Sequence, residues 1–187
     1  MTQLAGVNAR PSTPLSDGVI ALMDMARSES HAEILPYRDE FRPDFERLNR
    51  EWIEEFFVVE EADREVFADP YNKIIAPGGQ VFFVLEDGVA KGTCAVLRRN
   101  AATYELAKMA VTASARGRGF GVLLIRSIID FARGAGAEEL ILSSNTKLAA
   151  ALRLYEKYGF QPIPHISDER YHRVDIMMRL SLRALSQ

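Results

Sequence analysis

At 187 residues, with 48% apolar and 26% charged side chains, the chain is the size of one domain with an appendage, and its composition excludes a disordered polymer. Its 23 Lys and Arg against 26 Asp and Glu leave a net charge of −3, so no global positive field exists to hold nucleic acid or an anionic membrane; an anion site has to be built locally. The lone cysteine, Cys94, excludes an intramolecular disulfide and a cysteine-rich zinc cluster, and reads as a small buried hydrophobe in a reducing compartment.

Residues 1–16 carry Pro11, Ser12, Thr13, Pro14 and Ser16, the makeup of a loose tail, and residues 17–27 can form one short helix. Residues 1–30 are therefore expected to be an N-terminal extension, partly flexible. They lack a basic stretch followed by a long apolar run, since residues 19–23 are interrupted by Asp24, and no segment approaches the ~20 apolar residues of a membrane span. A cytoplasmic protein is the expectation. A single domain over residues 31–182 follows, without internal repeats, and then a short tail at 183–187.

Within that domain, residues 32–37 read as a strand, and Pro43 opens a helix carrying Phe45, Leu48, Trp52, Ile53, Phe56 and Phe57 at roughly helical spacing. A short helix near 63–68 should stop before Pro70. Residues 80–85 and 89–98 form a hairpin around Asp87-Gly88, a pair suited to the positive φ angles of a tight turn, and residues 103–111 add a third strand. Residues 120–133 form a helix with Leu124, Ile128 and Phe131 on its apolar face, closed by Gly134 and Gly136. Residues 140–143 make a strand, and Asn145 or Thr146 can cap a helix running to Tyr158 and terminated by Gly159. Short strands at 160–163 and 174–180 complete an α/β layered domain with a mixed sheet.

The chemistry concentrates in Val111-Thr-Ala-Ser-Ala-Arg116-Gly117-Arg118-Gly119-Phe120-Gly121, which joins a strand to a helix. Glycines leave backbone N–H groups accessible, and a row of them at the positive end of a helix is an anion site for phosphate or pyrophosphate. Arg116 and Arg118 add forked donors. A nucleotide-hydrolase loop would need a Lys and a hydroxyl residue after the last glycine, and a dinucleotide fold would want a different glycine spacing after the first strand of a parallel sheet. Neither pattern is present.

Arg116-Gly117-Arg118-Gly119-Phe120-Gly121 resembles the Arg/Gln-x-x-Gly-x-Gly/Ala acyl-CoA pyrophosphate loop of the GNAT N-acetyltransferase superfamily. The strand Glu105-Leu-Ala-Lys-Met-Ala-Val111 before it, the amphipathic helix after it, the strand ending Ser-Ser-Asn145, and Ala151-Leu-Arg-Leu-Tyr155-Glu-Lys-Tyr-Gly159-Phe160 extend the likeness in the family's order. The resemblance implies a mostly antiparallel mixed sheet of about six to seven strands flanked by helices, and transfer of an acetyl group from acetyl-CoA to a primary amine by direct attack in a ternary complex; no metal is expected, because His31, His165 and His172 are scattered without a His-x-x-x-His pairing. It implies that the backbone of Met109, Ala110 and Val111 binds pantetheine, that residues 116–121 take the pyrophosphate, and that Tyr155 is the general acid. Glu105 matches the acids that many members place near the start of this strand, either as the base or as a strand-end acid paired with a cation.

One position departs from the pattern. Many members carry an asparagine seven residues before the catalytic tyrosine, where this chain has Leu148; Asn145 lies three residues earlier and either binds the cofactor or caps the helix. The family's habit also leaves room for a homodimer. The region that shapes the acceptor pocket in the family carries Trp52, Phe56, Phe57, Glu54, Glu55, Glu60, Glu61 and Asp63 here, read either as a carboxylate-rich mouth for a cationic amine or as core aromatics and a solvated acidic face. Asp168, Glu169, Arg170, Tyr171, His172 and Arg173 near the last strand fix no chemistry by their spacing. A non-catalytic acyl-CoA-binding sensor or protein-interaction module, using its acidic helices for contact, is the alternative to the enzyme; a nucleic-acid protein has only the arginines in its favour.

Overall fold

In the computed structural model, which describes residues 32–164 and 171–183, antiparallel strands β1 (Ala32–Pro36), β2 (Gln80–Glu86), β3 (Val89–Arg98) and β4 (Thr103–Val111) form a meander. Asp87 and Gly88 turn β2 into β3 with φ of 51° and 75°, the two left-handed conformations that match the right-handed twist of a hairpin. A crossover helix brings β5 (Glu139–Ser144) beside β4 in parallel, and β7 (Ile176–Ser181) and the edge strand β6 (Gln161–Ile163) close an antiparallel flank. The seven-stranded order is β1-β2-β3-β4-β5-β7-β6. The expected short helix at 17–27 and residues 165–170 lie outside the described residues.

Helices cover both faces. On one, α1 (Arg42–Phe56) and α2 (Glu61–Ala68) drive Phe45, Leu48, Ile53 and Phe67 against Val81, Phe83, Leu85, Ala95 and Ala110. On the other, α3 (Phe120–Gly134) and α4 (Ala149–Lys157) bring Leu124, Ile125, Ile128 and Tyr155 against Cys94, Val96, Leu106, Leu140, Leu142 and Met178. Apolar positions recurring every three to four residues on α1 and α3 meet alternating positions on the strands, so each face closes its own core. Among the described residues no helix is long and apolar enough to cross a membrane.

Two expectations need correction. The helix expected from Asn145 or Thr146 begins at Ala149, because the Asn145 carboxamide oxygen accepts from the Lys147 N–H at 2.9 Å and Asp175 accepts from the Thr146 N–H and hydroxyl at 2.7 Å, which holds residues 145–148 as a turn. The helix expected near Asp63 begins at Glu61, through a capping box between Glu60 and Asp63. A single π-helical turn, Tyr71–Ile75, follows Pro70 and was not legible in the pattern.

Candidate active site

The site follows from the way β4 and β5 part. They pair only from Thr103 with Glu139 to Leu106 with Leu142, while β4 runs on to Val111 and β5 to Ser144. Beyond Leu106, β4 therefore presents unpaired backbone toward a gap in the sheet. The pairing of β3 with β4 also slips, from Thr93 with Ala110 to Ala95 with Ala107, an extra residue in β4. Lys108 absorbs it with φ of 51°, a left-handed conformation uncommon for a side chain other than Gly or Asn and typical of a bulge beside a functional site. A cavity of about 520 Å³ fills the gap.

The bulge corrects the simple alternation that would set Glu105, Ala107 and Met109 on one face. Met109 joins Tyr104 and Leu106 in the α3 side core, whereas Glu105 sits opposite Leu97, which packs on the α1 side. Ala110 is buried at 2% exposure in that second core and its side chain does not line the cavity.

The glycine turn lies at the head of α3. Gly117 and Gly119 hold φ of 76° and 86°, and a Cβ at either would meet nothing within 4 Å, so both face open space. Gly119 is the N-cap and no side chain caps the helix; Val122 and Leu123 both donate to the Gly119 carbonyl, at 2.9 and 3.2 Å. The first amides of α3 have no intrahelical acceptor by geometry, which suits them to the pyrophosphate of a CoA ester. Gly121 serves packing: a Cβ there would come within 3.2 Å of Leu154 and 3.4 Å of Met109.

The two arginines of the turn are engaged with carboxylates rather than aimed at a ligand. Arg116 forms a bidentate pair with Glu55 at 2.8 and 2.5 Å and donates to the Val111 carbonyl at 3.1 Å, and Glu51 accepts from the Thr112 hydroxyl at 2.6 Å. These contacts lash the turn to α1. Arg118 is held by Glu86 of β2 and lies over the Phe120 ring at 5.1 Å, outside the cavity lining. In this arrangement both arginines brace the loop, and Arg116 also lines the cavity.

Tyr155 and Met109 meet in the gap, the phenol lying 3.9 Å from the Met109 sulfur, with the ring against Phe160 at 5.9 Å. Burial pushes the Tyr155 phenol well above its ordinary range, with Cys94 adding to the shift, so the group stays protonated through the physiological range. Glu105 is 6% exposed, lines the cavity and is paired with Arg99. Asn145 also lines the cavity, but its amide donates to the Arg173 carbonyl at 2.7 Å and its oxygen makes the turn described above. It does not cap α4, whose N-cap is Leu148. Cys94 is fully buried in β3, where burial raises its thiol.

A cluster that spacing did not reveal lies on the α1 and α2 side. Asp63, with 0% exposure, accepts from Lys108 and from both terminal nitrogens of Arg173 at 2.7 and 2.8 Å. Glu60 also accepts from Arg173 at 2.8 Å, Lys108 reaches the Tyr171 hydroxyl at 2.9 Å, and both cations stand 4.6 Å from the Tyr171 ring centre. The legible signals were the Glu60-x-x-Asp63 spacing of a capping box and a lysine within the apolar stretch 106–111. The acidic residues divide: Glu54, Glu55 and Glu61 are exposed, as a solvated face requires, with Glu55 paired to Arg116, whereas Glu60 and Asp63 are withdrawn from solvent as partners of Arg173.

A sheet opened between a β4 bulge and β5, with an uncapped glycine turn and a buried phenol at the gap, defines the class: an α/β fold with a cleft in its sheet suited to an extended anionic ligand. The acetyltransferase (GNAT) family model matches residues 36–160. An uncharacterized N-acetyltransferase of Schizosaccharomyces pombe is 29% identical over 66% of this chain and 83% of its own length. YobR of Bacillus subtilis, an uncharacterized N-acetyltransferase, is 31% identical over 66% of this chain, which spans about half of that protein at 49%. Among solved structures, a GNAT acetyltransferase of Staphylococcus aureus superposes with a TM-score of 0.75 at 16% identity, covering 82% of this chain and 100% of that one. YncA of Salmonella typhimurium, solved with its cofactor acetyl-CoA, gives 0.65 at 20% identity, covering 84% and 98%. The structural likenesses show the fold. The chain belongs to the GNAT family, and its enzymatic class is that of an acetyltransferase.

Proposed function

We propose that the chain transfers an acetyl group from acetyl-CoA to a primary amine by direct attack in a ternary complex, in the cytoplasm. The observation that carries this reading is the placement, in one cavity, of the open edge of β4, the uncapped N-terminus of α3 and the Tyr155 phenol. The amides of residues 117–121 would hold the pyrophosphate, and the backbone of Met109, Ala110 and Val111 the pantetheine arm, as a strand added at the gap. Acetyl-CoA supplies the activated acetyl thioester when bound. Glu105, directly or through a water, takes the proton from the amine as the nitrogen–carbon bond forms. Tyr155 gives its phenolic proton to the departing sulfur as the carbon–sulfur bond breaks, and recovers one from solvent.

A second reading, a non-catalytic acyl-CoA sensor, is favoured by the pairing of Glu105 with Arg99, which occupies the carboxylate that an acceptor amine would have to reach. Thiol release from acetyl-CoA, measured against a panel of amines, separates the two. Amine-dependent release supports the enzyme; tight acetyl-CoA binding without release from any amine supports the sensor.

A further inference from the structure

The charges facing the cavity have the opposite sign from those the sequence suggests for its mouth. Among the described residues its charged lining is Arg99, Lys108, Arg116, Lys147 and Arg173 against the carboxylate of Glu105. Arg116 and Lys147 belong to the turns before α3 and α4, the donor side. Arg99, Lys108 and Arg173 gather with Glu105 on the α1 and α2 side, where Trp52 and Phe57 supply an apolar wall. Asp63 and Glu60 do not line the cavity; they lie behind the cations, with side-chain exposures of 0% and 13%.

Arg173 is the key group. Asp63 and Glu60 grip both of its terminal nitrogens, and its guanidinium lies 4.6 Å from the Tyr171 ring centre, so its orientation is fixed before any ligand arrives. Asp63 and Glu60 take both hydrogens of one terminal nitrogen and one of the other, so a ligand carboxylate would use the edge formed by the second hydrogen of that other nitrogen and the Nε–H. Cations around the acceptor also lower the pKa of a bound amine, which favours the neutral form that attacks a thioester.

We propose that the acceptor is a free amino acid, whose carboxylate is taken by Arg173 and Lys108, whose carbon skeleton rests on Trp52 and Phe57, and whose α-amine faces the donor. The proposal rests on the acetyl-transfer reading. Peptide N-termini, lysine side chains within proteins and polyamines lack the neighbouring carboxylate and are poor acceptors on this view.

The test begins with calorimetric titration of the full chain with acetyl-CoA, which probes the donor site alone. The protein saturated with CoA is then titrated with L-amino acids, their carboxamides and spermidine. The expected result is binding of amino acids at least about tenfold tighter than of the matching carboxamides, with spermidine weakest. In Arg173→Gln that preference should fall toward unity; in Arg173→Lys, which keeps the cation beside Asp63 and guards against misfolding, the KM for the amino acid should rise roughly tenfold with kcat little changed. Equal affinity for acid and carboxamide, tighter spermidine, or no amino acid bound to the CoA complex each overturns the proposal while leaving the donor site standing. Failure of acetyl-CoA itself to bind overturns both.

Discussion

Tyr155 and Gly119 make claims that single substitutions can separate. The Tyr155 hydroxyl contacts only a thioether in the described structure, so Tyr155→Phe removes little from the folded protein. If the phenol protonates the leaving sulfur, kcat should fall about a hundredfold with acetyl-CoA affinity unchanged in a calorimetric titration; an unchanged kcat returns Tyr155 to packing against Phe160. Because burial raises this phenol, its deprotonation should not limit the rate below about pH 10. Gly119 faces open space at φ 86°, so Gly119→Val meets no neighbour in the folded chain and costs about 1–2 kcal/mol of backbone strain. The added side chain projects where the ligand phosphates would lie, and the dissociation constant for CoA should rise at least about tenfold. The glycine turn was legible because glycine spacing is itself the signal; the engagement of Arg116 and Arg118 was not, since their partners Glu55 and Glu86 lie 61 and 32 residues away.

At the scale of elements, the strands and helices could be read from their periods and punctuation, but the β4 bulge could not. A strand of period two gives no warning that one residue will turn left-handed, and Lys108 does so while its ammonium is bound by Asp63 of α2 and by Tyr171. The cluster ties α2, β4 and residues 171–173 together across the acceptor side of the gap. Asp63→Asn leaves Lys108 and Arg173 without their shared carboxylate and should destabilise the fold by about 3–5 kcal/mol, read by urea denaturation. The pH dependence has a fixed sign. Burial works to raise the Asp63 carboxyl, but the hydrogen bonds from Arg173 and the Lys108 charge outweigh it and hold it below its ordinary value of 3.8. A carboxyl depressed in the folded state stabilises fully above the unfolded pKa and loses that contribution as pH falls through the lower folded value. Acid titration of the wild type should therefore show a loss of stability below about pH 4 that is much reduced in Asp63→Asn.

For the whole molecule, the mostly antiparallel mixed sheet of six to seven strands was legible through the family resemblance, but the strand order was not legible at all, because hydrophobic periodicity fixes which face of a strand is buried and not which strand lies beside it. What the fold adds is a division of labour. The α1 and α2 core and the α3 and α4 core are built on opposite faces of one sheet, and near the site they are separated by the gap where β4 and β5 part. A donor seated in that gap touches the turn lashed to α1 through Glu51 and Glu55, the N-terminus of α3 and the inner end of α4 together. It thus binds the native arrangement and not the unfolded chain. At a concentration 100 times its dissociation constant it should add about 2.7 kcal/mol, a rise in melting temperature of roughly 5–10 °C for a chain of this size. Acetyl-CoA and CoA should both produce it, because the shared pyrophosphate and pantetheine make the contacts, whereas NAD and ATP should not. Hydrogen exchange should slow at residues 107–109, 115–117 and 119–121 with either CoA ligand, since these residues line the gap; a thermal shift without that protection would move the donor site elsewhere in the molecule.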